Sequence, residues 1–164
     1  TAVSRLFTLK KRPLDQPVST LFPSIEQAKQ YVRWNAQAET LAKNYLPGPL
    51  TLILPLRADA PYKLYPTPSR TSGLGPRTLG VRVSSHPLAQ ELALRFGKPI
   101  STTSANLHRQ PAAYNPEEIL SQFPNDLPDV LLINAGPLPF TSPSTIIDLT
   151  GPSPKKIREG GTIS

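Results

Sequence analysis

Cysteine and methionine are absent from the 164 residues, tryptophan occurs once and histidine twice. Without cysteine there can be no disulfide framework and no thiolate metal site, and a reducing compartment is allowed without being demanded. His86 and His108 are too few to build the usual zinc centre. No apolar run approaches the roughly 18 residues needed to span a bilayer, and no charged-then-apolar leader opens the chain, so no membrane partner is expected and the chain reads as soluble and cytoplasmic. The want of methionine even at position 1 implies a processed or truncated chain, or a fragment. Several active-site signatures are missing as well. There is no Gly-x-x-x-x-Gly-Lys-Ser/Thr loop and no Gly-x-Gly-x-x-Gly after a strand, which leaves a Walker-type nucleotidase and a dinucleotide fold unsupported. No Gly-x-Ser-x-Gly elbow or His-Glu-x-x-His helix occurs either.

What is present is basic. Lys and Arg number 18 against 11 Asp and Glu, a net charge of +7 spread along the chain, which suits a face for anionic ligands better than a disordered basic arm. The 21 prolines far exceed the average of about 5%. They are scattered between apolar segments, so they punctuate a folded domain and do not form a polyproline tract. The length fits one domain, expected to cover residues 1–164 and able to bury roughly two thirds of its unfolded surface.

Ser24 with Gln27 three residues later predicts a helix start, continued by Ile25, Ala28, Tyr31 and Val32. A second helix through Ala36, Leu41, Ala42 and Tyr45 stops at Pro47-Gly48-Pro49, after which Leu50–Leu54 reads as a buried strand. Residues 57–77 read as a Pro-, Ser- and Gly-rich loop, long enough to act as a lid. Leu79–Val83 alternates as a strand should, and His86-Pro87 opens a helix that Gly97 ends. Asn115-Pro116-Glu117-Glu118 is a further helix start; Val130–Ile133, Thr145–Ile147 and Lys156-Ile157 are short strand candidates. Strands and helices interleave without a repeat, which gives an α/β or α+β sheet with helices packed against it.

The densest polar chemistry lies in Ser101-Thr102-Thr103-Ser104-Ala105-Asn106, small donors and acceptors at the end of an extended segment, as a phosphate or carboxylate edge needs. Hydroxyl clusters also end strands and cap helices. Lys10 and Arg12 precede Pro13, which biases Arg12 toward an extended backbone; Lys10 and Arg12 are then expected to share one side of an edge segment and to suit a polyphosphate. Arg82 sits between Val81 and Val83 on a strand that is otherwise apolar, so its guanidinium requires an anionic partner, either a structural carboxylate or a ligand. Ser144 and Thr145 form another hydroxyl pair at a strand start, and Arg158 precedes a glycine pair.

Taken in order, Lys10-Lys-Arg12-Pro13, Pro47-Gly-Pro-Leu-Thr51, Val81-Arg82-Val83 with His86-Pro87-Leu88, Ser104-Ala105-Asn106, Pro143-Ser144-Thr145 with Asp148, and Arg158-Glu-Gly160 resemble the YrdC/Sua5 family of threonylcarbamoyl-AMP synthases. The resemblance spans nearly the whole chain. It implies a twisted mixed parallel and antiparallel sheet flanked by helices, with a basic concave groove. It also implies synthesis of threonylcarbamoyl-AMP from L-threonine, bicarbonate and ATP with release of pyrophosphate, feeding a downstream complex that modifies adenosine 37 of tRNA.

By that likeness Lys10, Arg12, Ser104 and Asn106 are the catalytic set and hold ATP together with Thr78 and Arg158, while Arg82, Thr102 and Ser144 take threonine. Mg²⁺ is expected with the nucleotide, and direct contact with tRNA or duplex RNA is a further expectation. The family's opening Pro-Thr-x-Thr-Val-Tyr-Gly-Leu-Gly segment has no counterpart, so the single YrdC-like domain is expected to lack its N-terminal piece. Two other readings compete: a non-catalytic RNA-binding module, and the carbamoyl-transfer domain of hydrogenase maturation proteins.

Overall fold

The computed structural model describes residues 2–13, 18–61, 77–123 and 130–161. The chain divides into two compact units, a larger one of Pro17–Thr102 with Ser142–Ser164 and a smaller one of Thr1–Gln16 with Thr103–Thr141.

The larger unit holds a six-stranded sheet. In chain order its elements are β1 (Ser19–Leu21), α2 (Ile25–Lys29), α3 (Ala36–Tyr45), β2 (Leu50–Pro55), β3 (Thr78–Arg82), α4 (Pro87–Phe96), β4 (Ile100–Thr102), β5 (Thr145–Asp148) and β6 (Lys155–Arg158). The strand order is β4-β1-β3-β2-β5-β6. β1–β3 and β2–β5 run parallel; β1–β4, β2–β3 and β5–β6 run antiparallel. The expected mixed sheet is therefore what forms. Its two central strands, β2 and β3, are the most continuously buried, as a position covered on both faces requires. The edges differ in chemistry: β6 reads Lys-Lys-Ile-Arg, charges that discourage pairing with a further strand, whereas β4 carries Ser101 and Thr102.

Leu50, Leu52, Leu54, Leu79, Val81 and Val83 pack with Phe22, Tyr31, Val32 and Leu149 in one core, against which α2 and α3 present Ala28, Ala38 and Ala42. Small residues on those helix faces let backbone approach sheet closely. α2 and α3 each begin where a side chain meets an orphan amide. Ser24 Oγ accepts from Gln27 N at 3.1 Å, and Asn35 Oδ1 accepts from Ala38 N at 2.8 Å. The expected capping box is only half made, because Gln27 Nε2 donates to Gly97 O at 3.1 Å and does not return to Ser24. α2 is also shorter than its periodicity predicts: it ends at Lys29, and Val32 forms a β-bridge with Leu56. α4 starts at Pro87 and closes at Gly97, whose φ of 67° lies in the left-handed region that glycine takes without strain.

The smaller unit contains α1 (Ala2–Leu9) and α5 (Pro116–Gln122). Asn115 Oδ1 caps α5 by accepting from Glu118 N at 2.8 Å. Two expectations fail here. Residues 130–133 form no strand. The basic run at Lys10–Arg12 is not an extended edge but the end of α1. Lys10 N donates to Leu6 O, Lys11 takes a left-handed φ of 50°, and Lys11 N and Arg12 N donate to Thr8 O and Phe7 O, both at 3.0 Å. That pair of bonds is a Schellman closure. Pro13 restricts only Arg12, one residue beyond the left-handed turn, so its extended bias did not reach back to Lys10. The predicted loop over 57–77 lies largely outside the described residues, at 62–76.

Candidate functional site

The residues singled out from sequence fall into two sets, one in each unit. In the smaller unit Lys10 is 3% exposed, and its ammonium has all three donor directions occupied. Nζ donates to Ser104 O and Asn106 O, each at 2.5 Å, and to Asn106 Oδ1 at 3.3 Å. Burial, then the neighbouring Arg12 charge, lower its pKa to about 8. Burial also lowers that of Arg12, which is partly buried.

The loop that cradles the ammonium is itself pinned. Ser104 Oγ donates to Asn106 Oδ1, Asn106 N to Ser104 O at 3.0 Å and Asn106 Nδ2 to Gln110 O. Leu107 N donates to Gln122 Oε1 at 2.9 Å, and His108 N to Lys10 O at 2.9 Å. Lys10, Ser104 and Asn106 thus form one hydrogen-bonded set at the end of α1. The ammonium, hydroxyl and carboxamide donors are spent on one another and on loop carbonyls, so an anion arriving here would have to compete with those bonds.

In the larger unit the sheet register brings a second set together. Ser144 is 4% exposed, and its hydroxyl is shared by three side chains. Arg82 Nη1 donates to Ser144 Oγ at 3.0 Å, Arg158 Nη2 donates to it at 3.1 Å, and Thr51 Oγ1 lies 2.8 Å from it. Arg158 also grips the Ser144 carbonyl with Nε at 3.0 Å and Nη2 at 2.8 Å. Burial, then the Arg158 charge, push the Arg82 guanidinium below its usual range; burial does the same to Arg158. Among the described residues no carboxylate pairs with Arg82, and Ser144 Oγ takes one of its five N–H groups. Two guanidinia converging on one buried, neutral hydroxyl leave positive charge without an acidic partner, which favours a bound anion.

Backbone contacts that the sequence did not announce hold Arg158 there. Gly161 N donates to Pro143 O at 2.8 Å, Gly160 N donates to Thr145 Oγ1 at 3.1 Å, and Thr145 Oγ1 donates to Gly161 O at 3.0 Å. A Cβ at Gly160 would overlap the backbone of Pro143, Ser144 and Thr145, so only glycine lets the segment after β6 lie this close. The Gly-Gly pair after Arg158 is visible in sequence; its clamping role is not, because it depends on where β5 begins.

Thr78 and Thr102 stand apart from this cluster. Thr78 opens β3 and is 8% exposed, in register with Pro55. Thr102 ends β4, in register with Ser19, and its hydroxyl donates to Ser19 O at 3.4 Å. Among the described residues no group of three or more His, Cys, Asp and Glu side chains could hold a metal ion. No described helix is long and apolar enough to cross a membrane.

With that geometry in view, comparison with known proteins gives a consistent result. Residues 1–160 match the Sua5/YciO/YrdC family profile, described under telomere recombination. The chain is 37% identical over 164 residues to the threonylcarbamoyl-AMP synthase of Enterobacter sp. (strain 638), covering 98% of this chain and 79% of that protein. It is 38% identical over 130 residues to the threonylcarbamoyl-AMP synthase of Vibrio cholerae serotype O1 (classical Ogawa strain), covering 77% of this chain but 65% of that one. The crystal structure of P. abyssi Sua5 complexed with L-threonine superposes with a TM-score of 0.81 at 34% identity, over 98% of this chain and 44% of the Sua5 chain. The chain therefore spans less than two thirds of the Vibrio relative and less than half of the Sua5 protein.

Proposed function

Because the chain belongs to the Sua5/YciO/YrdC family, we propose that it makes threonylcarbamoyl-AMP from L-threonine, bicarbonate and ATP, releasing pyrophosphate for the threonylcarbamoylation of tRNA. The observation that carries the reading is the convergence of Arg82 and Arg158 on Ser144 without an acidic partner among the described residues. It supplies the anion-binding chemistry that an amino acid carboxylate needs, and the Sua5 relative is one that was solved with L-threonine.

In this reading threonine and the nucleotide are assigned to different residues. Arg82, with Thr102 and Ser144 on the same sheet, takes threonine; a guanidinium fork against a carboxylate gives orientation as well as charge. By the family likeness Lys10, Arg12, Ser104 and Asn106 are assigned to the ATP phosphates, and Thr78 and Arg158 also to the nucleotide. Threonine's amine first adds to CO₂ derived from bicarbonate and becomes a carbamate. A carbamate oxygen then forms a bond to the α-phosphorus while the bond from that phosphorus to the α–β bridging oxygen breaks, and pyrophosphate leaves with the electron pair. The transition state gathers negative charge on phosphoryl oxygens, which fixed cations and hydroxyls stabilise without a covalent enzyme intermediate. No histidine base is needed. Mg²⁺ belongs with the triphosphate in this scheme, because the described residues of both sets offer cations, hydroxyls and carbonyls and no carboxylate cage. When bound there, Mg²⁺ would supply further charge neutralisation at the phosphates.

The 164 residues act as one YrdC-like domain in this proposal, in the cytoplasm, with tRNA and a threonylcarbamoyl-transfer complex as downstream partners. The test is pyrophosphate release from ATP. Release that requires both threonine and bicarbonate is the expected result. No threonine-dependent release, combined with tight, salt-sensitive binding of duplex RNA, would replace the synthase reading with that of an RNA-binding module.

A further inference from the structure

Thr51 lies in the Pro47-Gly-Pro-Leu-Thr51 run that the proposed chemistry leaves without a task. It is 2% exposed, on the central strand β2, yet it carries a hydroxyl. A buried hydroxyl needs a partner, and its partner is the Ser144 hydroxyl at 2.8 Å. Register brings the two together with Arg82. Leu52 pairs with Val81 across the antiparallel β2–β3 ladder, so the next step sets Thr51 opposite Arg82 on one face of the sheet. Leu50 pairs with Thr145 across the parallel β2–β5 ladder, which brings Ser144 alongside.

Proton counting fixes the direction of the bond. A serine hydroxyl has two lone pairs and one proton, and a guanidinium has donors only. Arg82 Nη1 and Arg158 Nη2 both point at Ser144 Oγ, so they take both lone pairs. The one remaining bond, to Thr51, must use the Ser144 proton, and Thr51 Oγ1 must accept it. We infer that Thr51 is a positioning residue: by accepting the Ser144 proton it turns the Ser144 lone pairs toward both guanidinia and holds Arg82 and Arg158 together as one anion-binding pair. Ser144 then acts chiefly by aligning the two cations, and ligand selectivity at this end of the sheet depends on a hydroxyl that touches no ligand.

The isosteric change Thr51→Val removes the acceptor while keeping the branched shape. The Ser144 proton must then turn toward a guanidinium or remain buried without a partner, a conflict that loosens one of the two cations. Thr51→Ser keeps the acceptor and loses only a methyl group. The arm that reads ligand rests on the synthase proposal. By calorimetry on the full chain, Thr51→Val should weaken L-threonine binding at least tenfold, while Thr51→Ser stays within threefold of the unaltered protein. Threonine affinity within threefold in Thr51→Val, or equal loss in both variants, would overturn the assignment; the second outcome would make Thr51 a packing residue.

A ligand-free readout separates this inference from the synthase reading. In proton NMR of the unaltered protein, a slowly exchanging Ser144 hydroxyl proton should show a cross-peak to Thr51 that is lost in Thr51→Val and kept in Thr51→Ser. If the protein binds no threonine but shows that pattern, the synthase reading fails and the inference stands. If threonine binds but no such proton is found, Thr51 does not set the orientation.

Discussion

The ammonium of Lys10, at the end of α1, donates to the backbone carbonyl of Ser104, 94 positions along the chain, at 2.5 Å. A single buried cation therefore ties a helix end to the hydroxyl loop, and two Asn106 oxygens complete its coordination. Lys10→Met keeps the length and removes the donors, leaving buried carbonyl oxygens without partners. We expect a loss of about 2–4 kcal/mol, by analogy with other buried charged hydrogen bonds, read from urea unfolding. A loss below about 0.5 kcal/mol would mean that solvent replaces the ammonium readily.

The lowered pKa of Lys10 adds a pH signature. Its folded value is about 8 and its ordinary value 10.5, so between those limits the unfolded chain binds more protons than the folded one. The contribution of this group to stability then rises with pH across that window, by at most about 1.4 kcal/mol per pH unit, and is flat below it. Urea midpoints at several pH values, compared with Lys10→Met, isolate the slope; parallel curves for the two proteins would rule it out.

Gly160 and Gly97 separate two reasons for glycine. At Gly97 the φ is +67° and a Cβ would meet nothing, so Gly97→Ala should cost about 1 kcal/mol of backbone strain and leave ligand binding intact. At Gly160 a Cβ overlaps the backbone of Pro143–Thr145, so Gly160→Ala must displace the segment that follows Arg158. The expected result is an ATP affinity lowered at least tenfold, measured beside Gly97→Ala. Equal affinity in both variants would show that the Gly160 contact does not hold Arg158 in place.

Much of this arrangement could be read in the sequence where the signal is local. The caps at Ser24 and Asn115, the stop at Gly97 and the apolar strand at Leu50 depend on residues close in sequence, and each was where its pattern placed it. Arg82 on a dry strand announced a need for a partner. The convergence on Ser144 was not legible, because it depends on β2, β3 and β5 being neighbours in the sheet. α1 is not legible for another reason: its first turn carries no acidic residue and its last no basic one, and Pro13 favours an extended backbone that begins only at Arg12. Val130–Ile133 shows the reverse error. Four apolar residues have strand composition, but composition does not supply a neighbour to pair with.

Arg82→Ala should discriminate between substrates. Arg82 contacts Ser144 and no described carboxylate, and threonine is its proposed ligand, so threonine should weaken by one to two orders of magnitude while ATP changes less than threefold. Arg82→Lys should recover little, because an ammonium cannot present a planar fork. Equal losses for both substrates, or for neither, would remove Arg82 from the threonine side.

ATP binding should also be linked to proton uptake through Lys10. In the free protein its pKa of about 8 leaves it largely neutral by pH 9. Phosphate charge arriving beside it favours the protonated form and moves the pKa back toward its ordinary value. Uptake from this group should therefore be small at pH 7, where the ammonium is already charged, and approach one proton between about pH 8.5 and 10. Calorimetric titrations of ATP in buffers of different ionisation enthalpy measure it directly. If ATP binds in that range with the same enthalpy in every buffer, the phosphates do not come close to Lys10, and its role is confined to holding the Ser104–Asn106 loop.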